Sequence, residues 1–437
     1  MAGTLRRNFL NLLVARGLTL ALALVNAVLL ARYLGPKDYG LYSYAFSVTT
    51  IVFGLADLGL SSHAVRLLRL EPARRTTLLN AFARLTNTVS LLLSAAVIVL
   101  AWMLVTDRLT RWALTLVCLP QFFRAAAVPV RALLASEERI PQLGLQELAI
   151  RAGTLLLLLA TMLLEQGVLT MVWVSAVPML ASYAYLRHRY WPSDSGSSVA
   201  RNELAGLLRQ AWAFTLYALF YAAYFQIDVV LLEKLQPLTN VGYYGAATRF
   251  IYPLLQVPSA LMTSAFPRLV AVADSQRRQF NLKLLMTLVG AGVLLAVCLA
   301  GSAPWLLPLL VGERYAPAVP TLQIMSAYVP LTFVQALGMN LLLASGRIRA
   351  LVGIYAVGLI ANVALNLWLI PRYAHNGCAV ATVAAEALEE VEPKMQKALT
   401  DLLDSEHVAG IVEEMDPAAA ADFLAELPDE RSEAILE

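Results

Sequence analysis

Charge is scarce in this sequence. Of its 437 residues only 14% are Asp, Glu, Lys or Arg and 59% are hydrophobic, against roughly 25% charged in a soluble globular chain. That balance excludes a water-soluble enzyme, a disordered chain and a secreted disulfide scaffold. Cysteine is scarce too. Cys118, Cys298 and Cys378 are odd in number and lie in or beside apolar stretches, which gives neither a disulfide framework nor a CxxC metal site. The histidines His63, His188, His375 and His407 are scattered, without HExxH spacing. No GxxxxGK[ST] loop is present, which excludes a self-contained ATPase. No catalytic motif, cofactor or nucleic-acid partner is expected.

What the chain has instead is long apolar runs. A span needs about 20 such residues. Eleven runs qualify: 12–34, 43–62, 86–105, 112–135, 148–164, 168–186, 211–232, 243–271, 284–310, 320–344 and 351–370. They are continuous rather than alternating, which excludes a β-barrel. The first run is too long for a signal peptide and lacks a small-residue cleavage site. A twelfth stretch begins at Gly377 but meets Glu386, so it is truncated. The fold class expected is all-α: a polytopic membrane protein with a soluble helical tail.

Positive charge sets the orientation. With the N-terminus in the cytoplasm, seventeen Lys and Arg residues fall in cytoplasmic segments and six outside. The expected location is the cytoplasmic (inner) membrane. Outward loops are all about ten residues or fewer, too small for the outward domain by which a membrane polymerase would hold sugars.

The longest polar loop, 187–210, contains Ser193-Asp194-Ser195-Gly196-Ser197-Ser198 and reads as a linker. The halves on either side share a pattern. Leu34-Gly35-Pro36 precedes Gly40-Leu41-Tyr42, and Leu235-Gln236-Pro237 precedes Gly242-Tyr243-Tyr244, with Ala45 and Ala247 keeping the offset. Both motifs follow an odd-numbered span, which gives a parallel repeat: two six-helix lobes about a pseudo-two-fold axis. The other reading is that Gly-Tyr turns recur at interfaces, where Tyr belongs to the aromatic belt. Lobes are expected at 1–190 and 205–386, joined by 191–204 and followed by a tail at 387–437.

Ionisable residues inside spans are costly and face a cavity or a partner. The candidates are Arg16, Asp57, Arg124, Arg151, Asp228 and Arg249. Arg66, Arg84, Arg131 and Arg268 stand near span ends and read as snorkelling. Four arginines against two aspartates make a basic interior. A guanidinium fork matches phosphate oxygens in a bidentate way, so Arg16, Arg249, Arg124 and Arg151 are expected to bind an anionic substrate. Asp228 and Asp57 are left for ion or conformational coupling, and Asp228 has a second reading as a structural partner of Arg249.

Several of these motifs carry a family resemblance. Residues 31–42, Ala-Arg-Tyr-Leu-Gly-Pro-Lys-Asp-Tyr-Gly-Leu-Tyr, resemble the first-span exit of polysaccharide and O-antigen flippases. These belong to the multidrug/oligosaccharidyl-lipid/polysaccharide exporter superfamily. Asp57-Leu58-Gly59-Leu60, Gln226-Ile227-Asp228, Val241-Gly242-Tyr243-Tyr244 and Phe266-Pro267-Arg268-Leu269 are similar as well. So are Ile370-Pro371-Arg372-Tyr373 and the run from Asn376 to Thr382. The resemblance covers roughly residues 6–386. It implies a flippase for oligosaccharide on a polyprenyl pyrophosphate, with alternating access and a cationic cavity. A drug or small-molecule antiporter of the same superfamily is the alternative.

The C-terminus departs from this pattern. Sixteen acidic and three basic residues stand from Glu386 to the end, a net of −13, whereas the rest carries thirty basic and fourteen acidic residues, a net of +16. A twelve-residue period starts at Val391-Glu392-Pro393-Lys394 and returns at Leu403, Met415 and Leu427. It resembles the N-terminal domain of MgtE magnesium transporters, which implies Mg²⁺ as a ligand of the tail. Glu413, Glu414, Asp416 and Glu426 are the candidate ligands, and a generic acidic helical tail is the other reading. Eleven spans leave this tail outside and twelve leave it inside. A junction falling within the last span reconciles the two.

Overall fold

The computed structural model of the chain describes residues 2–56, 60–191, 201–258, 274–344 and 348–391. Their regular structure is helical, with no strand among them. Hydrocarbon holds no water to satisfy backbone N–H and C=O groups, and a helix satisfies its own. In chain order the helices are α1 (Ala2–Gly54), α2 (Leu60–Leu70), α3 (Arg75–Leu104), α4 (Arg108–Ala126), α5 (Val128–Ser136), α6 (Ile140–Leu163), α7 (Val168–Val174), α8 (Ala176–Tyr190), α9 (Arg201–Leu235), α10 (Leu238–Ile251), α11 (Asp274–Leu310), α12 (Val319–Ser326), α13 (Tyr328–Ala344) and α14 (Ile348–Val391). Eight stretches among the described residues are long and apolar enough to cross a membrane, and the chain is a multi-pass membrane protein.

Two of those stretches, Gly17–Gly54 and Leu351–Leu388, have 38 residues each. At 1.5 Å per residue each is about 57 Å long, nearly twice the hydrocarbon thickness of about 30 Å. Both are bent into two limbs. The first breaks at Gly35, with φ 72°, a conformation glycine adopts without a Cβ clash, and Pro36 follows. The second breaks at Ala374, with φ 50°. Expected span 12–34 lies in the limb before Gly35 and residues 43–54 of expected span 43–62 in the limb after it, while 351–370 continues into the stretch from Gly377. Glu386 interrupts the apolar run but not the helix, which continues to Val391. Glu386 itself is fully buried.

Proline breaks other spans. Its ring clashes with the carbonyl four residues back and it donates no hydrogen bond. α4 gives way to α5 at Ala127, two residues before Pro129. α7 gives way to α8 at Ser175 before Pro178, and α12 to α13 at Ala327 before Pro330. α10 ends at Ile251, just before Pro253, and the next hydrogen bonds are of the tighter i→i+3 kind, Leu254 to Ile251 and Gln256 to Pro253. The single span expected over 243–271 is therefore interrupted, and its part from 259 to 271 lies outside the described residues.

Two sharp turns close without glycine. Glu138 (φ 59°) and Glu165 (φ 50°) take the left-handed position. Arg139 N donates to Leu134 O at 2.9 Å and Glu138 N to Ala135 O at 3.0 Å. Gln166 and Glu165 repeat the pair on Thr161 and Met162, both at 3.0 Å. Each is a Schellman closure, satisfying carbonyls left open at a helix end.

The chain divides into two compact units, Met1–Ala246 with Pro308–Tyr315, and Ala247–Leu307 with Ala316–Glu437. In the second unit α12 and α13 pack on α14. There Thr321 Oγ1 donates to Asn376 Oδ1 at 2.7 Å, and Asn366 Nδ2 to Asn362 Oδ1 at 2.8 Å. The first unit holds most of the described candidate residues.

Candidate functional site

One end of the first unit is built by two hairpins crossing. Gly40 and Gly242 have no room for a side chain. A Cβ on Gly40 would lie 2.9 Å from the Leu238 carbonyl carbon, and one on Gly242 would lie 2.7 Å from that of Pro36. An offset of 202 residues turns Gly40 into Gly242 and Pro36 into Leu238. The two contacts are therefore the same contact made twice, as across a two-fold axis. Ser43 and Gly245 share that offset and face each other, a Gly245 Cβ lying 2.9 Å from Ser43 Oγ. The repeat of Gly-Tyr motifs is thus also a packing relation.

Aromatic rings fill this crossing. Tyr315, 1% exposed, meets Tyr39 and Tyr243 edge-on at 6.4 and 6.2 Å. Its hydroxyl donates to Ala31 O at 2.8 Å. Burial pushes this phenol's pKa well above its ordinary value, so it stays a donor. Tyr33 Oη donates to Gln166 O at 3.0 Å, and Arg32 Nη1 to Leu309 O at 3.3 Å.

Below the crossing the interior is polar. Asp228 on α9 is 3% exposed and accepts from Tyr244 Oη on α10 at 2.9 Å. Ser47 Oγ on the second limb of α1 donates to Gln226 Oε1 on α9 at 2.7 Å. Gln121 Nε2 on α4 donates to Thr49 and Thr50 hydroxyls at 3.3 and 3.2 Å. Interhelical bonds of this kind contribute about 0.6 kcal/mol each on average in membranes, so they align helices more than they hold them.

The other end of the unit is basic and half-exposed. Here the 137–139 turn receives α2 and α3. Arg69 pairs with Glu138, and Glu137 takes Arg75 at 2.8 Å and Arg139 at 3.1 Å. Arg187 lies over the Trp191 ring at 4.5 Å. Deeper on the same side, Glu147 on α6 lies between two arginines. Its Oε2 is 3.3 Å from Arg131 Nη2 on α5, and its Oε1 is 3.5 Å from Arg151 Nη2 one turn on. Asn26 Nδ2 on α1 donates to the Arg151 carbonyl at 3.1 Å, while its buried Oδ1 has no partner among the described residues.

The expected site residues fall as follows. Arg151 is half-buried on α6 in the pair just described. Arg124 is exposed on the last turn of α4. Arg249 is half-buried on α10, its guanidinium 5.9 Å from the Tyr252 ring centre. Asp228 is fully enclosed. Arg16 stands on α1 with its side chain outside the described residues. Asp57, Glu413, Glu414, Asp416 and Glu426 also lie outside them. Among the described residues no three His, Cys, Asp or Glu side chains come together as metal ligands. Sequence reasoning marked Tyr244 only as part of the Gly-Tyr repeat, not as the partner of Asp228, and did not single out Ser47 or Glu147. Glu147 stands just before the expected span 148–164, and only its i,i+4 spacing to Arg151 signalled the pair.

The fold is that of MOP-superfamily transporters. It is similar to the lipid II flippase MurJ in an inward closed conformation, with TM-score 0.71 and 12% identity over 97% of this chain and 96% of that one. It is similar also to an inward-facing multidrug resistance MATE transporter of the MOP superfamily, with TM-score 0.71 and 13% identity over 90% and 98%. A MOP transporter from Pyrococcus furiosus, described as having reversed polarity of its binding pocket, aligns with TM-score 0.62 and 12% identity over 91% and 96%. Among curated proteins no sequence matches this chain. The polysaccharide biosynthesis protein family matches residues 5–273. That is more than half of the chain, and the chain belongs to this family. The MgtE intracellular N domain matches residues 380–437, beginning within the last limb of α14.

Proposed function

We propose that this protein moves an oligosaccharide linked to polyprenyl pyrophosphate from the cytoplasmic to the outer leaflet of the cytoplasmic membrane. It works by alternating access of lobes 1–190 and 205–386, with no covalent step and with its N-terminus in the cytoplasm. The observation that carries this reading is the family match over residues 5–273. Sugars and pyrophosphate are too polar to cross hydrocarbon unaided, while a polyprenyl tail stays in lipid. The intramembrane arginines supply the counter-charge. Arg16, Arg124, Arg151 and Arg249 are the head-group contacts, with Asp57 and Asp228 in ion or conformational coupling. The hairpin crossing at Gly40 and Gly242 supports a two-fold arrangement able to rock about its axis.

Reconstitution into liposomes tests this. The expected result is transfer of a polyprenyl-pyrophosphate oligosaccharide between leaflets. Efflux of organic cations without such transfer would instead establish a drug antiporter. Arg249→Lys keeps the charge and loses the fork, so transport is expected to fall; full activity of the folded variant removes Arg249 from the phosphate contacts.

The match over residues 380–437 supports a second reading, for the tail alone. Residues 387–437 form a Mg²⁺-sensing module with Glu413, Glu414, Asp416 and Glu426 as ligands. Calorimetric titration of the full chain against a chain ending at Val391 tests it. Equal Mg²⁺ heats in the two contradict it.

A further inference from the structure

We propose that Glu147 is a displaceable counter-ion, occupying a phosphate site made by Arg131 and Arg151. This rests on the flippase reading above and deepens it by naming a site on the cytoplasmic side. The ligand class is a phosphate or pyrophosphate group.

The geometry is that of a shared, loosely held carboxylate. Each oxygen of Glu147 serves a different guanidinium, at 3.3 and 3.5 Å. Charge-assisted bonds at their best are about 2.7–2.9 Å and often bidentate with arginine. Neither arginine has that arrangement here. The side chains of Arg131, Glu147 and Arg151 are 38%, 38% and 44% exposed, so all three are reachable from outside the protein. The trio carries a net charge of +1, which favours an anion over a cation.

Position adds a second line of support. Glu147 is seven residues into α6 and Arg151 eleven, about 11 and 17 Å from its start at 1.5 Å per residue. Arg151 stands within the expected span 148–164, where an unneutralised charge is costly, so a carboxylate beside it is needed whenever no substrate is bound. Arg151 is on a fixed piece of backbone, because its carbonyl takes Asn26 Nδ2 from α1. A phosphate group offers more oxygens and more charge than one carboxylate, enough to engage both forks. It therefore displaces Glu147, which turns away to water. On release Glu147 recaptures the arginines. The glutamate thus weakens binding and speeds release, and it rejects ligands that carry no anionic group.

Titration of the purified full chain with inorganic pyrophosphate, and separately with a short-chain polyprenyl pyrophosphate, tests the proposal. Glu147→Gln is expected to bind pyrophosphate more tightly, by up to about fivefold, since an exposed ion pair contributes up to about 1 kcal/mol and 1.4 kcal/mol is tenfold. Transport by that variant is expected to slow through release. Arg131→Gln with Arg151→Gln is expected to weaken binding by about tenfold or more. Glu147→Asp, too short to span both arginines, is expected to shift affinity in the same direction as Glu147→Gln, and it decides the matter if the latter does not fold. Unchanged or weaker binding in a folded Glu147 variant overturns the proposal, even where the wild type transports polyprenyl-pyrophosphate sugar. Wild type that neither binds the probes nor transports such a sugar overturns both this proposal and the flippase reading. Stronger binding of the lipid-linked probe assigns the site to the lipid head group, and equal binding assigns it to free pyrophosphate.

Discussion

The two ends of the first unit are held by opposite means. At the Gly35 end backbone lies on backbone, with glycines admitting carbonyls and buried tyrosines filling the space. At the 137–139 end the contacts are arginine and glutamate side chains, most of them a third or more exposed. The first kind of contact tolerates no added atom and loosens all at once. The second kind is made of exposed pairs, each contributing about 0–1 kcal/mol and rearranged at little cost. Under the proposed function, the first end would serve as a firm closure and the second as an adaptable rim for a charged head group.

The largest effect is expected at the crossing. Gly40→Val or Gly242→Val sets side-chain carbons into a neighbouring carbonyl, and overpacking of this kind costs typically about 1–3 kcal/mol. Transport in either variant should be lost, and because the two contacts are equivalent the losses should match. Proteoliposome transport, with a thermal melt to check folding, measures this. Strongly unequal losses would break the two-fold relation.

The tyrosine beneath it comes next. Tyr315→Phe leaves the buried Ala31 carbonyl without its donor, at a cost of about 1–3 kcal/mol. A lower melting temperature with ring packing otherwise kept is the expected result. No change would mean that the rings alone close this end.

Asp107 gives a smaller effect that depends on pH. It caps α4, accepting from Thr110 N at 2.7 Å and Oγ1 at 2.6 Å, and these bonds hold its carboxyl below the ordinary carboxylate value. The stabilisation is therefore full above about pH 3.9, the unfolded value, and is lost as pH falls through the lower folded one. Asp107→Ala should cost about 1 kcal/mol near neutrality, with the difference from wild type vanishing in acid. A difference that persists in acid contradicts the capping role.

At the rim the effect should be smallest. Arg74 and Glu71 form an exposed pair at 2.9 Å. Arg74→Ala is expected to shift stability by less than about 1 kcal/mol, and less again in high salt. A larger loss would show that this end too is rigidly held.

The spans were legible because hydrocarbon demands uninterrupted apolar helix. The repeat was legible because Gly40 and Gly242 stand where no side chain fits. What escaped was local. Pro129, Pro178, Pro253 and Pro330 are plain in the sequence, but the exact break depends on which carbonyl each ring meets. Gly35 and Ala374 mark kinks at which one limb follows another without a loop, which apolar runs alone do not show. Asp228 was marked as an intramembrane charge, yet its partner Tyr244 lies sixteen residues on, across a turn whose register the sequence does not give. Glu147 was passed over because it stands one residue outside an apolar window, and its second partner, Arg131, comes from another helix.

The central claim is transport of a lipid-linked sugar phosphate, and one measurement tests it most directly. Purified full-length protein is reconstituted into liposomes carrying a polyprenyl-pyrophosphate oligosaccharide in one leaflet, and the sugar reaching the other leaflet is followed. Protein-dependent transfer, reduced by Arg249→Lys and abolished by Gly242→Val, is the predicted result. Transfer no faster than in protein-free liposomes, from protein shown to be folded, would contradict the account.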